Sequence, residues 1–262
     1  MYCKSNQKSD KVKKIILFLN TKVGYEIANF LLKDNDIFIE TVFLCNQYPD
    51  IDNKIESLFK DSKTKLYRVK KIDNLNGFVQ KKSQISFLIC VYWPYLLNIE
   101  ILKKADNNIN FHPALLPINR GWYPHVHSII DGSKAGVTLH EMNELADQGD
   151  ILVQKEINIP EHFCAKEVYE MLQDAMIDLF YKNWILIKKN KVKKIKQIEK
   201  FANYHKKDEV NDLNFIDIQK KENKNLINLL RARSFGEKGF AYFLDQNGEK
   251  IFLTLKLRKN EK

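Results

Sequence analysis

Between Asn110 and Asp150 the chain reads NFHPALLPINRGWYPHVHSIIDG and, three residues on, GVTLHEMNELADQGD. Asn110 and His112 stand two residues apart, Pro113 and Pro117 follow, and Asp147 comes 35 residues after His112 in a glycine-containing turn. On an extended segment, residues i and i+2 project from one face, so Asn110 and His112 point together beyond the end of a strand. The Asn110 amide can donate to an oxygen that gains negative charge. The His112 imidazole can take a proton from an attacking amine near neutral pH. Asp147 can fix the imidazole tautomer, favour its charged form or relay the proton. Pro113 and Pro117 stiffen the connecting loop. An amide donor, an imidazole and a carboxylate suit attack of an amine on an activated one-carbon acyl group.

Alternating strand and helix patterns position these residues. Strands are expected at Ile15–Asn20, Ile37–Cys45, Lys65–Val69, Ser86–Trp93 and Ile109–His112, with helices at Lys22–Leu32 and around Asn53–Lys60. Such alternation predicts an α/β fold, a Rossmann-like, mostly parallel sheet with helices on both faces. Ligands bind beyond the carboxyl ends of the strands in such sheets, where Asn110 would lie. Ala135–Glu141 and Ile151–Ile159 read as strands flanking the Asp147 turn. Ala165–Lys188 carries an apolar face of Val168, Met171, Leu172, Ala175, Met176, Leu179 and Phe180 at helical spacing. A lysine-rich stretch, 188–200, marks a boundary between a catalytic domain, 1–200, and an appendage, 201–262. The appendage reads as a short helix, Asn225–Ser234, and a β-hairpin. Phe240–Leu244 and Glu249–Leu257 flank Gln246-Asn247-Gly248, and Asn-Gly accepts the positive φ of a tight turn.

Further side chains carry alternative readings. Trp122 and Tyr123 can stack on a base or sugar face, or pack as the start of a helix. Arg120 can clamp a phosphate, or stand on the surface. His205-Lys206-Lys207, with Tyr204, is an anion-site candidate, whereas Arg231 and Arg233 read as surface charges. His125-x-His127 has the look of a metal pair, but two histidines with no Cys or carboxylate near in sequence predict no metal. Gly24 follows the first strand, yet neither a G-x-G-x-x-G nor a Walker A loop occurs, so no dinucleotide cofactor is expected.

NFHPALLP, Gly121, Gly136-Val137-Thr138 and Asp147-Gln148-Gly149-Asp150 together resemble the signature of the folate-dependent formyltransferases, most strongly over residues 85–157. The resemblance implies transfer of a formyl group from N10-formyltetrahydrofolate to an amine, with Asn110, His112 and Asp147 as the catalytic residues. It assigns Pro94, Tyr95 and Leu96 to the pterin of the folate. The insert Asn119–Pro124 is similar to the branch that acts on nucleotide-linked amino-deoxysugars. That branch implies Arg120, Trp122 and Tyr123 as substrate-binding residues, a dTDP-linked sugar such as dTDP-4-amino-4,6-dideoxyglucose as acceptor, and a homodimer. Gln148 stands where many members carry a small residue or Thr.

Composition agrees. A chain of 262 residues with 44% apolar content can bury one sizeable core and a smaller one. No apolar run reaches the roughly 18 residues of a membrane span, and the polar start MYCKSNQKSDKVKK lacks the apolar region of an export signal. Cys3, Cys45, Cys90 and Cys164 show neither metal-ligand nor disulfide spacing, so a cytoplasmic protein is expected. The net charge is +10, but only five of the 43 basic residues are Arg and Lys is spread along the chain. No basic stretch interleaves with aromatics as in a nucleic-acid platform, so no nucleic acid is expected. Methionyl-tRNA formyltransferase, glycinamide ribonucleotide formyltransferase and a non-catalytic sugar-nucleotide or RNA binding protein are the alternatives. The first of these carries a larger C-terminal domain and the second usually lacks an appendage. The third does not require Asn, His and Asp together.

Overall fold

The computed structural model describes residues 12–69, 84–219 and 225–259. The N-terminal segment with Cys3 lies outside them. Seven strands form one sheet in the order β3-β2-β1-β4-β5-β7-β8. By its contacts the chain divides into a unit up to Ile109 and another from Asn110 onward.

In the first unit, β1 (Lys13–Leu19), β2 (Ile37–Leu44), β3 (Lys65–Arg68) and β4 (Ile85–Val91) are the expected strands, each trimmed by a residue or two or shifted at its ends. The pairs β1–β2, β1–β4 and β2–β3 run parallel. Successive residues Ile15 to Leu19 are all at most 1% exposed. Because neighbours on a strand face opposite sides, both faces of the sheet are covered there. Helix α1 (Thr21–Leu31) begins where the Asn20 side chain accepts from Thr21 N–H; α2 (Pro49–Leu58) begins at a proline that needs no N–H. A short α3 (Ile99–Leu102) precedes β5 (Ala105–His112), which starts four residues before its expected beginning.

The second unit continues with β6 (Arg120–Gly121), α4 (Pro124–Asp131), β7 (Ala135–Glu141), β8 (Ile151–Ile157) and α5 (Ala165–Lys188). β7 and β8 pair antiparallel, so this end of the sheet departs from the parallel pattern. α5 packs on both strands and α4 on β7. Of the expected stripe on α5, Val168, Leu172, Ala175, Met176, Leu179 and Phe180 are buried, while Met171 is half-buried. Trp184 and Ile187 extend the buried face.

Beyond it come β9 (Tyr204–His205), α6 (Glu209–Asp212) and α7 (Leu226–Ala232), which packs on α4. Two hairpins follow, β10 (Ser234–Phe235) with β11 (Lys238–Gly239) and β12 (Ala241–Leu244) with β13 (Lys250–Leu253). Gly248 sits at φ 80° in the turn between the last two, as Asn-Gly predicts, and Asp245 caps that turn by accepting from Asn247 and Glu249 N–H. Ile251 and Phe252 remain 40% and 60% exposed, so this chain alone does not bury the hairpin. Arg231 and Arg233 correct the surface reading: both are buried. Arg231 donates to the carbonyls of Phe163 and Pro160 and to Asn228, pinning α7 to the loop before α5.

Candidate active site

β5 ends on Asn110 and His112, and the connection between β7 and β8 returns Asp147 to them. His112 Nδ1 lies 3.5 Å from Asp147 Oδ1, and Asn110 Nδ2 donates to the same oxygen at 3.2 Å. Two neighbouring residues of β5 thus meet on a carboxylate that comes 35 residues after His112. Asp147 itself holds φ 56°, a left-handed conformation that side chains other than Asn and Asp seldom take. Gly121 N–H donates to its other oxygen at 2.9 Å, and Gln197 Nε2 binds the carbonyls of Asp147 and Gly149. Gly149 is fixed by space, since a Cβ there would meet the Glu141 carbonyl.

His140, on β7, completes the cluster. Its Nε2 lies 3.1 Å from Asn110 Nδ2 and 3.4 Å from Asp147 Oδ1. Its Nδ1 sits 2.7 Å from the Glu141 carbonyl, which only accepts, so Nδ1 carries the hydrogen and the neutral ring offers a lone pair at Nε2. His112 has the opposite tautomer. Its Nε2 donates to the Asn119 carbonyl at 2.9 Å, leaving the Nδ1 lone pair toward Asp147. Both hydrogens of the Asn110 amide therefore point inward, one at Asp147 and one at His140.

Burial pushes the His112 pKa below its ordinary value, and the charge on Asp147 opposes the shift without cancelling it. For Asp147 burial is the largest single influence and acts to raise the pKa. The imidazoles of His112 and His140 in their protonated forms, with the Gly121 N–H, together outweigh it and hold the carboxyl well below the usual range. At neutral pH the cluster is one fixed carboxylate facing a neutral, basic imidazole.

Asn119 sets the orientation of His112. It adopts φ 58°, its N–H and side chain bind Asn203, and its amide donates to Ser128 and Ser133. Asn203 also binds His205, whose ring stacks on His127 at 3.4 Å and 7° between planes. Arg120 is 3% exposed, and its guanidinium donates to Gln197 and, bidentately, to Glu199. It therefore ties the 197–199 segment to β6 and does not present a free fork for a phosphate. Trp122 and Tyr123 are half-buried at the start of α4, with Lys207 Nζ 4.9 Å from the Trp122 ring. Pro94, Tyr95 and Leu96 lie in the first unit on the loop after β4, Leu96 at 64% exposure.

The metal pair of the sequence does not assemble. His125 packs on Tyr169. His127, Asp131 and His205 do cluster, with ligand atoms within 4.8 Å of one another. An imidazole lone pair lies in its ring plane, however, and parallel planes 3.4 Å apart do not converge on one ion. His205 Nδ1 faces Glu209 and its Nε2 faces Asn119, so the His205 anion reading gives way to a latch between β9 and the site.

Residues 46–182 match the formyl transferase family and residues 209–259 the N-formyltransferase dimerization C-terminal domain. The chain belongs to the formyltransferase family. It is 33% identical over 150 residues to a dTDP-4-amino-4,6-dideoxyglucose formyltransferase of Mycobacterium tuberculosis, a match that takes in 57% of this chain and 64% of that protein. It is 30% identical over 240 residues to the bifunctional polymyxin resistance protein ArnA of Wigglesworthia glossinidia brevipalpis, covering 89% of this chain and 36% of that one. Among solved structures, a 4-N formyltransferase from Francisella tularensis superimposes with a TM-score of 0.82 at 27% identity, over 95% of this chain and 99% of that chain. Within this chain, His140 and Gln197 are neighbours of the site that sequence reading missed, and Asn119 entered it only as part of the 119–124 insert. His140 left one signal, an imidazole inside an otherwise apolar strand. Gln197 and the Asn119–Asn203 link left none, because these partners lie 48, 50 and 84 residues apart in sequence.

Proposed function

We propose that this chain moves a formyl group from N10-formyltetrahydrofolate to the amine of a dTDP-linked amino-deoxysugar. The observation that carries the reading is the convergence of Asn110, His112 and Asp147, with a neutral imidazole nitrogen facing a fixed carboxylate. That donor set fits a formyl carbonyl, which needs a hydrogen-bond donor for its oxygen and a base for the incoming amine. Pro94, Tyr95 and Leu96 are assigned to the pterin on their motif. The neighbouring Trp93 Nε1–H, buried without an acceptor among the described residues, fits a polar ring edge. Trp122 and Tyr123 are assigned to the nucleotide-linked sugar. Arg120 is retained there only as a positioning residue.

The bound folate supplies an electrophilic one-carbon carbonyl. As the amine nitrogen bonds to the formyl carbon, His112 would accept its proton at Nδ1, becoming cationic between the Asn119 carbonyl and Asp147, and would pass that proton on to the departing N10 nitrogen as the carbon–N10 bond breaks. Asp147 stabilises that cation across 3.5 Å without itself being protonated. Asn110 is occupied at rest by Asp147 and His140, and it stabilises the carbonyl oxygen by turning one N–H outward.

The sugar is proposed to be 4-amino-4,6-dideoxyglucose, on the mycobacterial relative. Residues 1–200 are proposed as the catalytic domain, with 201–262 as the appendage through which two copies pair. Incubation with formyl-folate and a panel of amino-sugar nucleotides, in the presence of chelator, should give a formylated dTDP-sugar detected by mass. Formylation of methionyl-tRNA instead, with binding that weakens about 1000-fold or more from dilute to physiological salt, would replace this reading; methionyl-tRNA formyltransferases of Mycoplasma match at 26% identity.

A further inference from the structure

Arg233, at the junction of α7 and β10, is 6% exposed and carries no ion pair among the described residues. Its Nε donates to Asn214 Oδ1 at 2.8 Å, and its guanidinium lies 4.8 Å from the centre of the Phe240 ring. Its two terminal amino groups find no acceptor among the described residues, yet they are not among the atoms sealed from solvent. Lys238 Nζ also lies 4.8 Å from the Phe240 ring, with no carboxylate partner among the described residues. Asn214 spends its oxygen on Arg233, which leaves its amide N–H groups as further donors. Arg233 and Lys238 thus each lie against the Phe240 ring, the Asn214 amide adjoins Arg233, and among the described residues these groups offer hydrogens and no acceptor. A desolvated cation without a counter-charge is costly, and the charge of Arg233 reaches His125 and His127 on α4, where it helps to keep both neutral.

We propose that Arg233, with Lys238 and the Asn214 amide, is a receptor for a phosphate oxyanion, and that the anion is the diphosphate of the nucleotide-linked substrate. A guanidinium fork matches such oxygens bidentately. The placement favours that source: Arg233 ends α7, which packs on α4, and Tyr123 caps the start of α4 beside Gly121 and Trp122 at the edge of the candidate site. The choice of anion source rests on the function proposed above; the receptor itself does not.

Titration of the intact protein with inorganic pyrophosphate and with dTDP tests it. Both should bind, and Arg233→Gln should weaken each by about 10- to 100-fold, the scale of a charge-assisted hydrogen bond. The KM for the amino-sugar nucleotide should rise in step while that for formyl-folate stays put. Arg233→Lys, which keeps the charge and loses the fork, should fall between and serves if the Gln variant does not fold. Pyrophosphate binding that is absent from the native protein, or unchanged in both variants, overturns the proposal. So does a variant whose sole defect is loss of self-association in sedimentation, which would make Arg233 an interface residue. Arg233-dependent pyrophosphate binding in a protein that formylates no nucleotide-linked amine leaves the receptor standing and fails the substrate reading. Arg233-dependent phosphate binding with an unchanged KM assigns the receptor to free phosphate.

Discussion

His112 and His140 sit on either side of one carboxylate in opposite tautomers, and the difference divides their work. His112 presents a bare Nδ1 to the site because its Nε2 hydrogen is held by the Asn119 carbonyl. His140 presents a bare Nε2 to Asn110 because its Nδ1 hydrogen is held by the Glu141 carbonyl. Asn110→Ala should lower turnover by about 100-fold, the loss for one oxyanion donor. His112→Ala and Asp147→Ala should cost at least as much, and the double variants should cost less than the product of the singles because the residues act as a unit. Near-normal turnover in Asn110→Ala or His112→Ala would remove them from the chemistry. His140→Phe should lower kcat while leaving both KM values nearly unchanged, because it disturbs the orientation of Asn110 and touches neither substrate. The pH profile has a definite sign. A base must be unprotonated, and burial lowers the His112 pKa, so kcat/KM should hold below pH 6.5 and fall only as pH drops through the lowered value. An acid limb centred above 6.5 would contradict that assignment.

At the scale of elements, the two-residue pairing of β6 with β9 places the backbone N–H that grips Asp147. Gly121 lies at φ 89°, and a Cβ there would run into the His205 carbonyl. Gly121→Ala therefore has to break the β6–β9 contact or move the Asp147 grip. The expected result is a loss of about 1–3 kcal/mol in stability together with a fall in turnover, read by thermal melts and steady-state rates. Full activity with an unchanged melt would show that this corner is pliable. The same scale explains what sequence alone discloses. β1, β2 and β4 are legible because a buried parallel strand is a continuous apolar run, and α5 because its apolar residues recur at three and four. Asn110, His112 and Asp147 are legible because each sits in a short motif with local backbone demands. β6 and β9 are two residues long and exist only by virtue of each other, so no periodicity marks them. Arg120 misleads for a related reason: its partners, Gln197 and Glu199, come 77 and 79 residues later. Arg233 misleads because nothing local tells a buried arginine from an exposed one.

Two properties belong to the whole molecule. Burial drives the pKa of His125 down to about 3 and that of His127 to about 4, from ordinary values of 6.5. Both are neutral in the folded chain and free to charge in the unfolded one. Their contribution is intact above pH 6.5 and is lost as pH falls toward 4, where unfolding takes up about two protons, or ~2.7 kcal/mol per pH unit. Melts between pH 7 and 4.5 should show this steep decline, and a flat profile would contradict it. The apolar residues left open on the last hairpin, Ile251 and Phe252, with Leu253 and Leu255 half-buried, should be covered in a homodimer. Sedimentation should find a dimer in the intact chain and a monomer in Leu253→Asp, Leu255→Asp. A dimeric double variant would move the interface elsewhere. One consequence concerns how such a protein can be cut and recombined. Asn203 holds Asn119, which holds His112, so a side chain beyond the lysine-rich boundary keeps the His112 imidazole in register. A graft made at residue 200, joining residues 1–200 to a relative's tail, would exchange an outer partner of the imidazole without touching the motif that names the family. Chimeras joined after His205 should keep their rate; those joined before Asn203 should keep their fold and lose it, unless the donor tail supplies an amide at the same place.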